Sequence, residues 1–289
     1  MELCVETFGK REPAWYACSC KQESHKRKRF LGMKTNELLF GTKEWVPINF
    51  NFMSGCSNDC SYYYAKDMTI RFKRKRVETW KEEQPVDLSK LSYAKRNGAI
   101  MIPSSHNITP GNVSIAPDVM RKLLATGNEL LVVTKPHYSC TTRMVDTFLP
   151  KKQQIRFRFT IGSADSSVLK LWESGASDFE ERLASVRYAY EKGYSTSIFC
   201  EPLLDAHFEV LYEAVEPFVT DAIWVGKMNM AQKRVKTNTQ GTFPQEAIDN
   251  LLAGQDDLHI IALFKAFNEK PKIQWKESIK RVAIQYGLL

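Results

Sequence analysis

Two cysteines stand four positions apart in the segment GCSNDCSYYYA, residues 55–65. The segment follows an apolar run, residues 45–52, whose alternating side chains predict a β-strand. Gly55 allows the tight turn that leads from this strand into a loop. Thiolates are ligands for soft metal centres. The spacing of Cys56 and Cys60 on one loop therefore predicts a metal site just beyond a strand end.

Strand-like and helix-like segments alternate through the chain from Trp45 to Asn229. Six short apolar runs predict strands: residues 45–52, 98–103, 129–134, 154–161, 195–200 and 222–225. Strands joined by helices pair in parallel, because a parallel neighbour needs a crossover connection. Six units are too few for an eightfold barrel, so the pattern predicts an α/β fold, an open partial (β/α)6 barrel.

Polar or small residues follow each of these predicted strands after the first. In parallel sheets, ligands bind beyond the carboxyl ends of the strands. The residues at these ends should therefore share one edge: Ser104, Ser105, Lys135, Thr160, Ser163, Glu201, Gly226 and Met228.

Segments on either side of the barrel complete the predicted organisation. Residues 1–44 are an N-terminal extension, residues 45–230 the barrel, and residues 231–289 a C-terminal loop, 232–240, followed by helices near 244–252 and 274–286 that close the open side. Cys18 and Cys20, with Cys4 and His25 nearby, are either reduced cysteines or ligands of a further metal. The C-x-C spacing is unlike that of structural zinc sites.

Charge and composition limit the partners and the compartment. Lys and Arg number 41 against 33 acidic residues, and the positive charge is densest in residues 25–29 and 71–76. These runs predict contacts with DNA or RNA phosphates, the alternative being solvated basic faces. The seven cysteines form no regular disulfide framework. No secretory signal or 18-residue apolar run is present, so we expect a cytoplasmic protein with no membrane partner.

The cysteine loop resembles the C-x3-C-x2-C cluster loop of the radical S-adenosylmethionine (SAM) superfamily, with Tyr63 at the third cysteine position. With Tyr62 and Tyr64 on either side of this position, the loop resembles that of the spore photoproduct lyase branch, a group of DNA-repair enzymes in which a tyrosine flanks the third cysteine on each side. The resemblance extends over about residues 45–229. It implies a 4Fe-4S cluster on Cys56 and Cys60, and SAM that is cleaved to a radical with an electron from an external reductant such as flavodoxin or ferredoxin.

The resemblance also implies a role for each strand end. It implies contact with the methionyl amino group for Ser104 and Ser105, with the SAM carboxylate for Lys135, with the ribose for Thr160, Ser163 and Glu201, and with adenine for Gly226 and Met228. Tyr62 and Tyr64 match a pair that helps to return a hydrogen atom in the lyase; alternatively, they pack against the barrel mouth. Cys140 is a further candidate for hydrogen donation.

Tyr63 leaves three alternatives for the cluster. Cys18 or Cys20 supplies a third thiolate, the cluster is unstable, or the protein has lost the reaction and kept the fold. The predicted function is a lyase-like radical SAM enzyme that acts on nucleic acid. The alternative is an inactive barrel that binds nucleic acid through its basic runs.

Overall fold

The computed structural model describes residue 46 and residues 48–289. The predictions made for residues 1–44, which include the extension, Cys4, Cys18, Cys20, His25 and the basic run 25–29, lie outside the described residues. Within the described part, no helix is long and apolar enough to cross a membrane.

In the part of the chain that the structure describes, nine strands form two sheets. In chain order they are β1 Ile48–Asn49, β2 Met53–Ser54, β3 Gln84–Pro85, β4 Ile100–Ile102, β5 Leu130–Thr134, β6 Ile155–Thr160, β7 Ser195–Cys200, β8 Ile223–Val225 and β9 Ile273–Trp275. Seven of them pair in parallel in the order β1-β4-β5-β6-β7-β8-β9, while β2 and β3 form a short antiparallel ribbon. The strands of the large sheet are thus arranged in chain order, with only β2 and β3 of the ribbon left out between β1 and β4, which confirms the predicted open parallel barrel.

Helices connect and cover these strands. In chain order they are α1 Tyr64–Arg71, α2 Ala116–Ala125, α3 Tyr138–Thr147, α4 Ser166–Trp172, α5 Phe179–Glu191, α6 Phe208–Val215, α7 Ala231–Thr239, α8 Gln245–Ala253, α9 Asp257–Phe267 and α10 Glu277–Gln285. Several start at clear sequence signals. The Asp178 carboxylate accepts the Glu181 amide at the start of α5, and Asp256 does the same for His259 at α9.

The central strands are apolar because both of their faces are covered. All five residues of β5 are buried, and Val132 lies beside Phe157 of β6 in the parallel register. The rings of Phe157 and Phe159 stack at 5.5 Å within the same hydrophobic core. This core fixes the strand ends, and with them the edge that carries the polar residues.

The C-terminal segment differs from the prediction in two places. Residues 232–240 are largely helical in α7, not a loop, because Ala231, Val235 and Asn238 form a buried stripe at helical spacing among polar neighbours. Residues 273–275 are a seventh parallel strand, not the start of a helix. Ile273 and Trp275 are buried there while Gln274 between them is exposed.

Candidate functional site

Two consecutive turns shape the cysteine loop. The Asp59 amide donates to the Cys56 carbonyl at 3.3 Å, and the Tyr63 amide donates to the Cys60 carbonyl at 3.2 Å. Each bond closes a four-residue turn, which holds its first and last Cα atoms within about 7 Å. Gly55 enters the loop at a φ of +92°, and a side chain there would lie 2.4 Å from the Glu82 carbonyl oxygen. The loop therefore brings Cys56, Cys60 and position 63 together.

Distant side chains hold this loop in place. The Glu83 carboxylate accepts the Ser57 amide at 2.8 Å and the Thr109 hydroxyl at 2.7 Å. On the other side, Asn238 of α7 donates to the carbonyls of Ser61 at 2.9 Å and Tyr63 at 3.0 Å. The backbone is thus tied both to the segment after β4 and to α7.

Both cysteines are buried as thiols. Each is about 1% exposed. Burial raises the pKa of Cys56, and it raises that of Cys60 to about 12. The Asn107 side chain donates to the Cys56 sulfur at 3.4 Å, and its Oδ1 accepts the Lys135 backbone amide at 2.7 Å. A metal that binds here has to displace the thiol protons.

Tyr63 does not offer its oxygen to a metal. Its hydroxyl donates to the Ser104 carbonyl at 3.1 Å, and the Tyr64 hydroxyl donates to the same oxygen at 2.6 Å. Burial raises the pKa of the Tyr63 phenol well above its ordinary value, so the group stays neutral. Among the described residues, no three His, Cys, Asp or Glu side chains are grouped to hold a metal ion. These residues alone do not fit a cluster held by three thiolates.

A buried charged network lies beside the loop. Glu173, which is fully buried, faces Arg182 at 2.6 Å and Lys135 at 3.9 Å, and its carboxylate also accepts the Tyr62 hydroxyl. Burial opposes ionisation of Glu173, but the charges of Arg182 and Lys135 outweigh it and lower the pKa. The Lys135 ammonium also lies 5.6 Å from the centre of the Tyr63 ring. In this structure the carboxylate that faces Lys135 is therefore that of Glu173.

The predicted SAM residues at β4 and β6 have well-defined partners. Asn51, just after β1, accepts the amides of Ser104 at 2.7 Å and Ser105 at 2.8 Å. The Ser163 hydroxyl accepts the Asp165 amide at 2.8 Å, and the Thr160 carbonyl accepts Arg182 at 3.3 Å. These contacts fix the backbone at the ends of two strands.

The ends of β7 and β8 meet at a second polar group. Glu201 lies 3.7 Å from the Lys276 ammonium, and Asn229 donates to it at 3.4 Å. A side chain at Gly226 would lie 2.9 Å from Glu201, so glycine allows this close approach. The Met228 amide donates to Gln255 at 2.8 Å.

Cys140 is the predicted site residue that the structure places inside the core. It lies in the first turn of α3 and lines a small cavity with Met144, Phe157 and Phe159. Burial raises the pKa of its thiol to about 11. Thr134, His137 and Thr141 also line this cavity, so its wall is apolar with a polar part.

Sequence reasoning missed several residues of the site. Asn107 follows a predicted strand, and that position alone was a signal for it. Asn51 lies inside the run predicted as the first strand, which ends earlier in the structure, at Asn49. Glu173 and Arg182 lie at the end of one helix and within the next, and no local pattern marks them as partners. Asn238 was hidden because its helix was predicted to be a loop.

Near the loop, His106 predicts a pH dependence of stability. Both ring nitrogens are buried and have no hydrogen-bond partner among the described residues, and burial lowers the pKa from 6.5 to about 3. Between pH 6.5 and 3 the imidazole is protonated in the unfolded chain but not in the folded one. Its effect on the free energy of unfolding is therefore absent above pH 6.5, and this free energy should decrease as the pH falls from 6.5 towards 3. The slope from this group is at most about 1.4 kcal/mol per pH unit.

His106→Phe should flatten that slope in urea titrations at several pH values. The substitution keeps the aromatic contact with Phe52, whose ring lies 4.5 Å away, and cannot be protonated. His207→Gln at an exposed position is the control and should keep the wild-type slope. An unchanged slope in His106→Phe would mean that water reaches the imidazole.

Comparison with known proteins gives structural matches only. No protein-family model and no curated protein matches the sequence. A cysteine-to-alanine variant of spore photoproduct lyase is 17% identical, aligned over 78% of this chain and 74% of its own, with a TM-score of 0.51. SuiB of Streptococcus suis, solved with SAM bound, is 10% identical over 79% of this chain and 50% of its own, with a TM-score of 0.46. The first of these matches shows that the chain shares the fold of spore photoproduct lyase.

Proposed function

We propose that the protein is a radical SAM-type enzyme that binds SAM at the carboxyl edge of its sheet. One observation carries the proposal: polar residues end four neighbouring parallel strands, β4 to β7, on the same edge as two buried cysteines on one loop. The fold shared with spore photoproduct lyase supports it. A lyase-like reaction and an external one-electron reductant such as flavodoxin or ferredoxin are parts of this proposal.

The described residues would bind and orient SAM. Ser104, Ser105 and Lys135 would meet its methionyl end, and the groups after β6, β7 and β8 its nucleoside. Lys135 and Ser163 are buried, so little water surrounds them. The interaction of the Lys135 ammonium with a bound carboxylate would be stronger there than in water, because the local dielectric constant is low. Two thiols do not complete a cluster, and Cys18 and Cys20 are the candidates for a third.

Calorimetry with SAM on the iron-free protein tests the binding site. We expect weak binding, since hydrogen bonds and one ion pair would act without an iron atom to chelate the amino acid. Lys135→Ala should weaken it about tenfold, the usual effect of losing a charged contact. Lys135→Arg should restore part of the affinity.

Lys265→Ala removes an exposed lysine on α9 and is the matched control. Each variant must be shown by its melting profile to be folded at the assay temperature, because Lys135→Ala also removes one of the two cations that face Glu173. Equal SAM affinity in wild type and Lys135→Ala would remove Lys135 from the site. No SAM binding by wild type would contradict the proposed function itself.

A second candidate function, nucleic-acid binding, is favoured by the surface after α1. Lys73, Lys75 and Arg76 line a groove there, together with Gln240 and one acidic residue, Glu78. Clustered cations on an exposed surface suit phosphate backbones. An oligonucleotide is thus the proposed partner at this surface, either as the substrate or without catalysis.

Replacing Arg71, Lys73, Arg74, Lys75 and Arg76 with glutamine should weaken DNA or RNA binding and reduce its salt dependence. Each lost phosphate contact lowers the slope of log affinity against log salt by about 0.7 to 0.9. Fluorescence anisotropy at several salt concentrations measures this slope. If wild type shows no salt-sensitive binding to any oligonucleotide at low salt, nucleic acid is not the partner.

A further inference from the structure

The surface that follows α1 is a rigid turn with an exposed aromatic ring. The Lys73 amide donates to the Ile70 carbonyl at 2.9 Å, and the Arg74 amide donates to the Thr69 carbonyl at 2.9 Å. This pair of bonds is the Schellman motif, which ends a helix in a fixed geometry. Phe72, the C-cap residue, is 58% exposed. We call residues 71–78 the α1 turn.

Lys73 occupies the position of the turn that usually holds glycine. Its φ is +55°, in the left-handed region that glycine adopts without steric cost. Within the part of the chain that the structure describes, its ammonium takes part in no ion pair. A lysine thus stands at a position where glycine would fit the backbone better.

Helix α7 extends this basic surface. Lys233, Lys236 and Gln240 are spaced three and four residues apart, so they follow one face of the helix and its C-cap. Both lysines are exposed, and the Gln240 amide donates to Glu78 of the α1 turn at 2.7 Å. Helices α1 and α7 also pack against each other. The lysines of α7 therefore lead to the groove of the α1 turn.

The chemistry of this surface matches that of single-stranded nucleic-acid sites. Such sites combine a positively charged groove with aromatic rings on which bases stack. Here Phe72 supplies the ring, and the Arg74 guanidinium lies 5.5 Å from its centre. Duplex DNA would offer its phosphates but no unstacked base. An anionic membrane would call for a broad apolar face, and the exposed apolar side chains near the turn are Met68 and Phe72.

We propose that the α1 turn and the exposed face of α7 bind a single-stranded nucleic-acid segment. A base stacks on Phe72, and phosphates contact Lys73, Lys233 and Lys236. The proposal rests on the second candidate function and adds to it the strandedness of the ligand and the contribution of α7. An unpaired segment held here would lie near the cysteine loop, because the Lys75 ammonium of the α1 turn would be 3.1 Å from a side chain at Gly55, where that loop begins.

The test uses a labelled oligothymidylate of about twelve nucleotides, a duplex of equal length and vesicles containing phosphatidylserine. Anisotropy gives the affinity of the full-length protein at several salt concentrations. Phe72→Ala should weaken single-strand binding about tenfold and leave the salt slope unchanged. Phe72→Trp should restore binding, and Phe72→Leu should not, because stacking needs an aromatic ring.

Charge variants test the remaining contacts. Lys233→Gln with Lys236→Gln should reduce the salt slope by about 1.4, that is, about 0.7 for each contact on a single strand. Lys73→Gly should weaken binding while raising the melting temperature, so any loss is not due to unfolding. Lys265→Gln with Lys270→Gln on exposed positions is the matched control and should bind as wild type does.

The outcomes separate the two proposals. No salt-sensitive oligonucleotide binding by wild type contradicts the nucleic-acid function and this site with it. Salt-sensitive binding that Phe72→Ala and the α7 pair leave unchanged overturns this site alone. Equal affinity for duplex and single strand, or binding to vesicles in place of oligonucleotides, also overturns it.

Discussion

Tyr63→Cys should take up about four irons per chain when it is reconstituted anaerobically with iron and sulfide. The turn closed by the Tyr63 amide and the Cys60 carbonyl already holds position 63 close to Cys60. The substitution replaces a neutral phenol, bonded to the Ser104 carbonyl, with the soft ligand that iron prefers. Iron and sulfide analysis, absorbance near 400 nm and SAM cleavage to 5′-deoxyadenosine measure the gain.

Two variants control this experiment. Tyr63→Ser removes the same bulk without a sulfur and should stay colourless. Cys56→Ala combined with Tyr63→Cys should lose the gain, because two thiolates remain. A wild type that already holds about four irons would show that the third ligand comes from another residue, and Cys18→Ala and Cys20→Ala would identify it. A colourless Tyr63→Cys would mean that the loop is not a cluster site.

Glu173→Ala should lower the free energy of unfolding by about 3 to 5 kcal/mol, as expected when a buried ion pair loses one partner. The substitution leaves the Lys135 and Arg182 cations buried without their carboxylate. The lowered pKa of Glu173 has a matching consequence. The stabilisation from ionised Glu173 is fully present at a pH above the pKa of a carboxyl group in the unfolded chain. It is lost as the pH falls through the lower pKa that Glu173 has in the folded protein.

Urea denaturation measures both effects. Asp118→Ala breaks an exposed ion pair with Arg121 and should cost less than about 1 kcal/mol, which makes it the matched control. Glu173→Ala combined with Lys135→Met should recover part of the lost stability, since one unpaired charge is removed. A loss below about 1 kcal/mol in the single variant would show that water enters the network.

The core of the fold could be predicted from the sequence because its signals are local. Short apolar runs, broken by glycine and proline, mark β4 to β8, and their parallel pairing follows from the helices between them. The seventh strand could not be recognised in this way. Ile273 and Trp275 alternate over three residues only, and the helical spacing of Ile279 and Val282 immediately after them dominates the pattern.

The site residues likewise fall into those with a local sequence signal and those without one. Cys56, Cys60 and the strand ends could be found because their spacing or their position after a strand is visible in the sequence. Glu173 lies 38 residues from Lys135 along the chain, and its burial depends on tertiary packing. Polar networks of this kind are assembled by folding, so residue type alone gives no sign of the partner.

The bond between Asn238 and the cysteine loop bears on the order of events during synthesis. Asn238 follows Ser61 by 177 residues, yet its amide holds the carbonyls of Ser61 and Tyr63. A nascent chain that has not yet reached α7 therefore lacks this restraint, however complete its first strands are. Contacts this distant in sequence form late, because closing so long a loop costs entropy first. The loop reaches its final geometry only after more than four-fifths of the 289 residues have been made.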